Sequence, residues 1–264
     1  MKILMIKNME TNMIGENSYS VEAGFADNIK NFDHHGKFAK YPAPCNNEAI
    51  KPLENQGDVS VYVTHIDADT IVGIIRLLGR ELPNNIDFSL MEKIDLNGSS
   101  VCQNKFDTTL LYMVGIGQLT RTLGIPRAEE EPKDITSLVM ELINTPTEDI
   151  ISLGREATEK SEASYRNCLV EKQGDVAFFS IGENDPLDPS RPYEDGQEIV
   201  IVYRKHYKSI SIYCAPNSKY EFAGQCLANI EFAGHPKACG SPRGVSFEET
   251  DASKVYKEIV ETIS

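Results

Sequence analysis

The sequence predicts an α/β protein in which a mostly parallel sheet with flanking helices forms an N-terminal domain. A helical connector leads from it to a smaller, mixed-sheet α/β C-terminal domain. Three observations predict this organisation. The β-branched run at 59–64 is followed at once by helical apolar spacing over 69–81, which is the strand–turn–helix unit of a parallel sheet. Helical patterns fill most of residues 107–169, and from residue 176 onward short strands alternate with turn-rich loops.

Each further element has its own signal. The apolar runs 3–6 and 19–25 predict two more strands of the N-terminal sheet. Helices are predicted over 107–123, 134–143 and 147 to about 169, the last with acids in its first turn. Strands at 176–181, 198–203 and 209–214 and a helix at 252–263 complete the chain. We place the domains at 1–150 and 171–264, joined by a connecting helix at 151–170.

The charge balance narrows the class of partner. The 264 residues include 26 Lys and Arg against 40 Asp and Glu, a formal net charge of −14. A protein that holds long nucleic acid needs basic stripes that displace counterions from the phosphates, and this sequence has none. Acidity does not exclude small phosphorylated partners, because bound metal ions can supply the positive charge.

Cysteine usage and hydropathy predict a cytoplasmic protein. The six cysteines are scattered without a C-x-x-C pair, which is typical of reduced thiols rather than of disulfides or a zinc site. No stretch approaches the roughly 20 apolar residues that a membrane helix needs. We therefore expect no membrane partner, and a homodimer remains an open alternative.

A histidine and two aspartates directly follow the strand at 59–64. His65, Asp67 and Asp69 share one face of an extended segment, at the point where α/β enzymes bind their ligands. Such a set predicts a divalent-metal site, and mixed nitrogen and oxygen ligands suit Mn²⁺, Fe²⁺, Co²⁺ or Zn²⁺ better than Ca²⁺. Singly, His65 is compatible with a core histidine and Asp69 with a helix cap. Caps do not explain all three.

A second segment, Asp33-His34-His35, is equally rich in metal-competent groups. Alone it is compatible with a polar turn that Gly36 ends. Together with the first segment it predicts two adjacent metals, which need more protein ligands than one segment provides. Asp95 stands at the end of an apolar segment beside a Gly/Ser turn, and it is either a further ligand or a turn former.

Residues 232–244 form a basic, glycine-rich loop in this acidic chain. Glycines let backbone N–H groups approach an anion closely, and basic side chains add donors for phosphate oxygens. A tight structural loop is the alternative. The predicted phosphate-binding residues are Gly234, His235, Lys237, Gly240 and Arg243.

These motifs resemble those of the DHH phosphoesterases with a DHHA1-like C-terminal domain. The resemblance rests on Asp33-His34-His35, on the cluster around Asp67, and on residues 234–240, which are similar to the Gly-Gly-His-x-x-Ala-x-Gly signature of that domain. It implies a metal domain at 1–150 and a substrate domain at 171–264 that face each other across a cleft. It also implies two Mn²⁺ ions that serve the hydrolysis of phosphodiesters or phosphoanhydrides.

Two departures affect how individual residues carry over. In the family the Asp-x-Asp segment comes before the Asp-His-His segment, and here the order is reversed. The usual His-x-x-x-Asp-x-Asp spacing is compressed to His65-x-Asp67-x-Asp69. The bridging aspartate of the family has no clear match, and Asp27 and Asp95 are the candidates.

The resemblance nevertheless implies a role for each group. His65 and Asp67 would bind one metal, and His34 and Asp69 the other. The shells would be bridged or completed by one of three aspartates: Asp33, Asp27 or Asp95. His35 would donate to the phosphate or leaving oxygen, so His35 and Asp33 are the predicted catalytic residues.

The expected substrate is a small phosphorylated molecule, a nucleotide or a very short oligonucleotide, and the acidic surface argues against a RecJ-like exonuclease on long DNA. Two alternatives stay open. One is a non-catalytic sensor of a nucleotide or phosphate on the same fold, and the other is a pyrophosphatase- or polyphosphatase-like hydrolase. The Gly115-x-Gly117 pair does not indicate a dinucleotide site, because it lies inside a helical pattern without a third glycine.

Overall fold

The computed structural model describes residues 1–7, 13, 15–54, 57–102, 104–126, 129–183, 185–242 and 244–263, with no side-chain description for residues 36 and 100. The chain divides into two compact units, Met1–Ala157 and Thr158–Ser264. The division falls inside one long helix and within the range 151–170 that is predicted as the connecting helix. None of the described helices is long and apolar enough to cross a membrane.

The first unit is built on a five-stranded, mostly parallel sheet. Its strand order is β3-β2-β4-β1-β5, and β5, which runs antiparallel to β1, is the exception among otherwise parallel pairs. The strands are β1 (Lys2–Met5), β2 (Ser18–Val21), β3 (Asn31–Phe32), β4 (Ser60–Val63) and β5 (Lys133–Asp134). The helices are α1 (Ala68–Leu78), α2 (Phe88–Asn97), α3 (Thr108–Thr122), α4 (Thr136–Asn144) and α5 (Thr147–Asn167), which continues into the second unit.

Helix α1 lies at the centre of this unit. The Asp67 side chain caps it by accepting from the Thr70 N–H, and Gly79 ends it with a left-handed φ of 65°. Apolar residues on most of its faces are buried, as expected of a helix packed between a sheet and other helices. The predicted strand–turn–helix unit is therefore confirmed, and it presents the Asp67–Asp69 segment at the carboxyl end of β4.

Two differences from the sequence prediction bear on the site. The strand expected over 19–25 stops at Val21, because Glu22 takes a left-handed φ of 52° that breaks the pleat. Helix α2 was not predicted, since among its ten residues Met91 and Ile94 alone are buried and its periodicity is weak. Asp95 therefore sits on a helix rather than at the turn that was one of its two interpretations.

Helices α3 and α5 cross with backbone against backbone. A Cβ atom built on Gly115 would lie 1.9 Å from the carbonyl oxygen of Ile150, and one built on Gly154 would lie 1.8 Å from that of Leu111. Both glycines are thus required by close approach. Gly117, one half-turn along α3, has nothing within 4 Å of such a Cβ. The Gly-x-Gly pair is helical, as predicted.

The second unit contains a six-stranded mixed sheet in the order β12-β13-β9-β8-β7-β6, in which β7 and β8 are parallel and the other pairs antiparallel. Helix α7 packs on one face, where Val255, Tyr256 and Ile259 are buried. The remaining elements are β6 (Leu169–Gln173), β7 (Val176–Ile181), α6 (Arg191–Glu194), β8 (Ile199–Arg204), β9 (Ser209–Cys214), β10 (Cys226–Leu227), β11 (Ile230–Glu231), β12 (Ala233–His235), β13 (Ala238–Gly240) and α7 (Glu249–Ile263). Strands β10 and β11 pair as a separate two-stranded antiparallel sheet. The predicted α/β class, with a mostly parallel sheet in the first unit and a mixed sheet in the second, is confirmed.

Candidate metal centre

The carboxyl ends of three parallel strands bring the polar residues of the first unit together. Glu22 follows β2, His34 follows β3, and His65 follows β4. Asp69 lies in the first turn of α1, and Asp95 approaches from α2. Ligands bind at this edge in open α/β sheets because the strands end there beside helix N-termini.

Glu22 is at the centre of the cluster, although none of the motifs predicted from the sequence includes it. It is buried, and its Oε1 lies 3.2 Å from His34 Nε2 while its Oε2 lies 3.3 Å from His65 Nε2. Burial alone would raise the pKa of Glu22, but the nearby His34 and His65 side chains lower it below its usual range. The carboxylate is therefore ionised and shared between the two histidine-bearing segments.

One side of the cluster holds four buried polar atoms that have no hydrogen-bond partner among the described residues: Glu22 Oε1, His34 Nε2, Asp69 Oδ2 and Asp95 Oδ2. His34 Nε2 lies 3.2 Å from Glu22 Oε1, 3.5 Å from Asp69 Oδ2 and 3.1 Å from Asp95 Oδ2. Buried polar atoms are normally satisfied, so a set of convergent unsatisfied ones needs an explanation. One nitrogen and three carboxylate oxygens suit a divalent cation such as Mn²⁺. We name this set the inner site.

The other side of Glu22 holds a second set of ligand atoms, which we name the outer site: Glu22, His65 and Asp67. His65 Nε2 lies 3.0 Å from Asp67 Oδ2. The Thr64 hydroxyl donates to the Glu22 carbonyl at 2.6 Å, so its 2.9 Å contact with His65 Nδ1 has Nδ1–H as the donor. Neutral His65 therefore keeps its lone pair on Nε2, toward the cluster, as a metal ligand requires.

Both sites are supported by neighbouring groups. Thr70 Oγ1 contacts Glu22 Oε2 at 2.7 Å and Asp67 Oδ1 at 3.0 Å, which fixes two ligands at once. The Cys45 N–H donates to Asp69 Oδ1 at 2.5 Å and leaves Oδ2 free for the inner site. Arg76 in turn donates from Nε and Nη2 to the Cys45 carbonyl, at 3.2 and 2.8 Å. Such supporting contacts orient metal ligands.

Replacing Arg76 by Met should weaken Mn²⁺ binding at the inner site by about 10- to 100-fold, because Cys45 loses the anchor that aims its N–H at Asp69. Isothermal titration with Mn²⁺ measures the effect. Arg80→Met is the matched control, since Arg80 donates to Asn144 instead. Equal affinities in the Arg76 variant and the control would contradict the role given to Arg76.

Neighbouring carboxylates raise the pKa values of both central histidines. Burial lowers the pKa of His34, but Asp95 and Glu22 outweigh it and raise that pKa to about 10. Asp67 and Glu22 likewise raise the pKa of His65 to about 10. A divalent ion must displace these protons because it binds the neutral imidazole.

Mn²⁺ affinity should therefore rise with pH across the range from about 6.5 to 8.5, by roughly tenfold per pH unit for each proton displaced. Titration calorimetry in buffers of different ionisation enthalpy measures the protons released. An affinity independent of pH, with no proton release, would show that the histidines do not take part.

Asp33 lies beside these side chains, and His35 belongs to the same group of possible metal ligands as Glu22, His34 and Asp95. Asp33 Oδ2 accepts from the Gly24 N–H and Oδ1 from the His35 N–H, each at 2.8 Å. His35 Nδ1 lies 3.3 Å from both Asp33 Oδ1 and Glu22 Oε1, and its side chain is 53% exposed. Asp33 raises the pKa of His35. Asp33 thus positions His35, whose ring is the more exposed of the two adjacent histidines.

Asp27, one candidate bridge, is not at the centre. Its Oδ1 accepts from the backbone N–H groups of Ile29, Lys30 and Asn31, and Oδ2 accepts from the Asn31 side chain. It closes a turn, and Glu22 is the carboxylate that lies between the two histidine-bearing segments. The signal that could have found Glu22 is its place at the end of a predicted strand, the same position that His65 occupies after β4.

The predicted phosphate-binding residues lie in the second unit, on the β12–β13 hairpin. Gly234 has a φ of 140°, and a Cβ there would lie 2.8 Å from the Ala238 carbonyl oxygen, so only glycine fits. Lys237 Nζ donates to the carbonyls of Ser218 and Tyr220 at 2.6 and 3.1 Å. His235 is exposed, and Arg243 lies outside the described residues. Part of the basic charge expected for phosphate therefore anchors the hairpin instead.

No protein-family model and no curated protein matches the chain. It resembles several solved structures. The pGpG-specific phosphodiesterase PggH from Vibrio cholerae is 13% identical over 79% of this chain and 81% of that one, with a TM-score of 0.44. An exopolyphosphatase-related protein from Bacteroides fragilis is 14% identical over 93% and 71%, with a TM-score of 0.36. RecJ from Thermus thermophilus, in complex with Mg²⁺, is 12% identical over 74% of this chain and 31% of that one, at 0.35. At these TM-scores, structural similarity gives no information about the activity of this chain.

Proposed function

We propose that the protein is a metal-dependent hydrolase of phosphate ester or anhydride bonds, of the DHH type, acting on a small phosphorylated molecule, a nucleotide or a very short oligonucleotide. One observation carries the proposal: a single buried carboxylate, Glu22, lies between two adjacent sets of side chains that could hold a metal ion, one with His34 and Asp95 and the other with His65 and Asp67. Paired metal sites of this kind are typical of phosphoryl-transfer enzymes.

When bound, two divalent ions, for which Mn²⁺ is the best match, would activate a water molecule and stabilise charge on the phosphoryl oxygens. Different residues of the chain would hold the two ions. His34, Asp69 and Asp95 would hold the inner ion, while His65 and Asp67 would hold the outer one. Glu22 would contribute to holding both ions, because its Oε1 lies toward His34 and its Oε2 toward His65.

His35 is the residue best placed to touch the substrate. It is exposed, whereas the His34 ring beside it is buried, with ring centroids 4.3 Å apart. Asp33 holds the His35 ring and raises its pKa, which favours the protonated imidazole. A protonated imidazole at this position can donate to a phosphate oxygen or to the leaving oxygen.

A hydrolysis screen with Mn²⁺ tests the proposal. The panel contains pyrophosphate, adenosine bisphosphate, cyclic dinucleotides and short oligonucleotides, each with and without EDTA. We expect EDTA-sensitive phosphate or nucleotide release that is lost in His65→Gln and retained in His206→Gln, a histidine of the second unit outside both ligand sets. Metal binding without turnover on any substrate would favour the non-catalytic sensor instead.

A further inference from the structure

The two segments that carry the central ligands also carry a pair of aromatic rings. Phe25 stands three residues after Glu22, and Phe38 stands three residues after His35. The rings meet edge to face, with centroids 6.1 Å apart and planes at 78°. Both side chains are only half-buried. We name Phe25 and Phe38 the aromatic rim.

The rim is tied to the centre by the backbone. The Phe38 N–H donates to the His35 carbonyl at 3.0 Å, in the short helical turn Gly36–Phe38. Gly24, which precedes Phe25, donates its N–H to Asp33. Both rings are therefore held by the residues that place His35, the exposed donor of the centre.

Two lysines accompany the rim. Lys37 Nζ lies 5.0 Å from the Phe38 ring centroid, and Lys40 Nζ lies 4.9 Å from that of Tyr41. Both are exposed, and neither has a carboxylate partner among the described residues. The chain as a whole has a net charge of −14, and these two lysines place positive charge close in sequence to His35.

We propose that the aromatic rim stacks on the base of a nucleotide whose phosphate lies at the metal centre, and so selects base-bearing substrates over base-free phosphates. This inference rests on the proposed function. A flat aromatic group joined to a phosphate by a short linker matches half-exposed rings a few residues from the ligands. An inorganic polyphosphate has no base that could stack on the rings.

Binding of AMP and of ribose 5-phosphate to the Mn²⁺-treated protein tests the rim, because these ligands differ in the base alone. We expect AMP to bind about tenfold more tightly, from the strength of base–aromatic stacking. Phe38→Leu, and the double variant with Phe25→Leu, keep apolar bulk without a flat ring and should erase the difference. Phe38→Trp should keep it.

The outcomes separate the rim from the proposed function. Two results would contradict base stacking on the aromatic rim, even if hydrolysis is observed. One is equal binding of AMP and ribose 5-phosphate by the unmodified protein, and the other is a preference for AMP that persists in the Leu variants. A preference for AMP that the Leu variants abolish supports it even in a protein that hydrolyses nothing. Thermal unfolding of each variant without ligand identifies any loss of binding that comes from misfolding.

Discussion

Glu22→Gln is expected to lower Mn²⁺-dependent hydrolysis by more than about 100-fold, beyond the usual effect of removing a group that only supports a ligand. The neutral amide removes the negative charge that both ligand sets share, and it places an N–H₂ group against a metal ligand. We also expect the number of tightly bound Mn²⁺ ions to fall from two per chain to one or none. Activity assays and metal analysis after gel filtration measure the two effects.

Controls separate this effect from a loss of folding. Asp27→Asn alters the carboxylate that closes the 27–31 turn, and it should leave the metal content unchanged. Glu22→Gly removes the carboxylate and also the side chain that is held at a φ of 52°. Glycine adopts that conformation without steric cost, which offsets part of the stability lost with the contacts of Glu22 to Thr70 and the two histidines. Full activity in the Glu22→Gln variant would show that hydrolysis does not depend on a carboxylate shared by the two ligand sets.

Gly115→Ala and Gly154→Ala are each expected to destabilise the first unit by about 3 kcal/mol or more, at the upper end for an overpacked core. The added methyl group would meet a backbone carbonyl at less than 2 Å, and a backbone cannot rotate away as a side chain can. Helices α3 and α5 would have to separate. Urea denaturation followed by circular dichroism measures the loss of unfolding free energy.

Gly117→Ala is the matched control for this prediction. It adds the same methyl group to the same helix at a position with nothing within 4 Å. Alanine is the better helix former, so we expect a gain of roughly 0.5–1 kcal/mol. Similar stability changes at Gly115 and Gly117 would contradict the close crossing of the two helices.

Much of the fold follows from local signals. The run at 59–64 is β-branched and the residues after it repeat with helical spacing, so β4 and α1 are predictable without any tertiary information. Because strand ends converge in a parallel sheet, the placement of His65 and Asp67 beside His34 is predictable as well. Weakly periodic elements are not: α2 is held by Asp87 at its N-terminus and by two buried side chains.

The part of the site that escaped prediction depends on tertiary contacts. Glu22 looks like an ordinary strand-end acid until β2 and β4 place its two oxygens toward different histidines. Asp33 was expected to bind metal or to act in catalysis, and two backbone N–H groups fix it instead as the support of His35. The sequence predicts that Lys237 binds phosphate, but in the structure its Nζ donates to carbonyl groups of the 218–220 segment. A sequence shows the chemistry of a side chain but not its partners.

Anomalous diffraction from crystals soaked in MnCl₂ tests the central claim most directly. We predict two manganese peaks in the first unit, one bound by Glu22, His34, Asp69 and Asp95 and the other by Glu22, His65 and Asp67. Each peak would be coordinated by a different oxygen of Glu22. A single peak, or two peaks of which one does not touch Glu22, would contradict the shared-carboxylate centre.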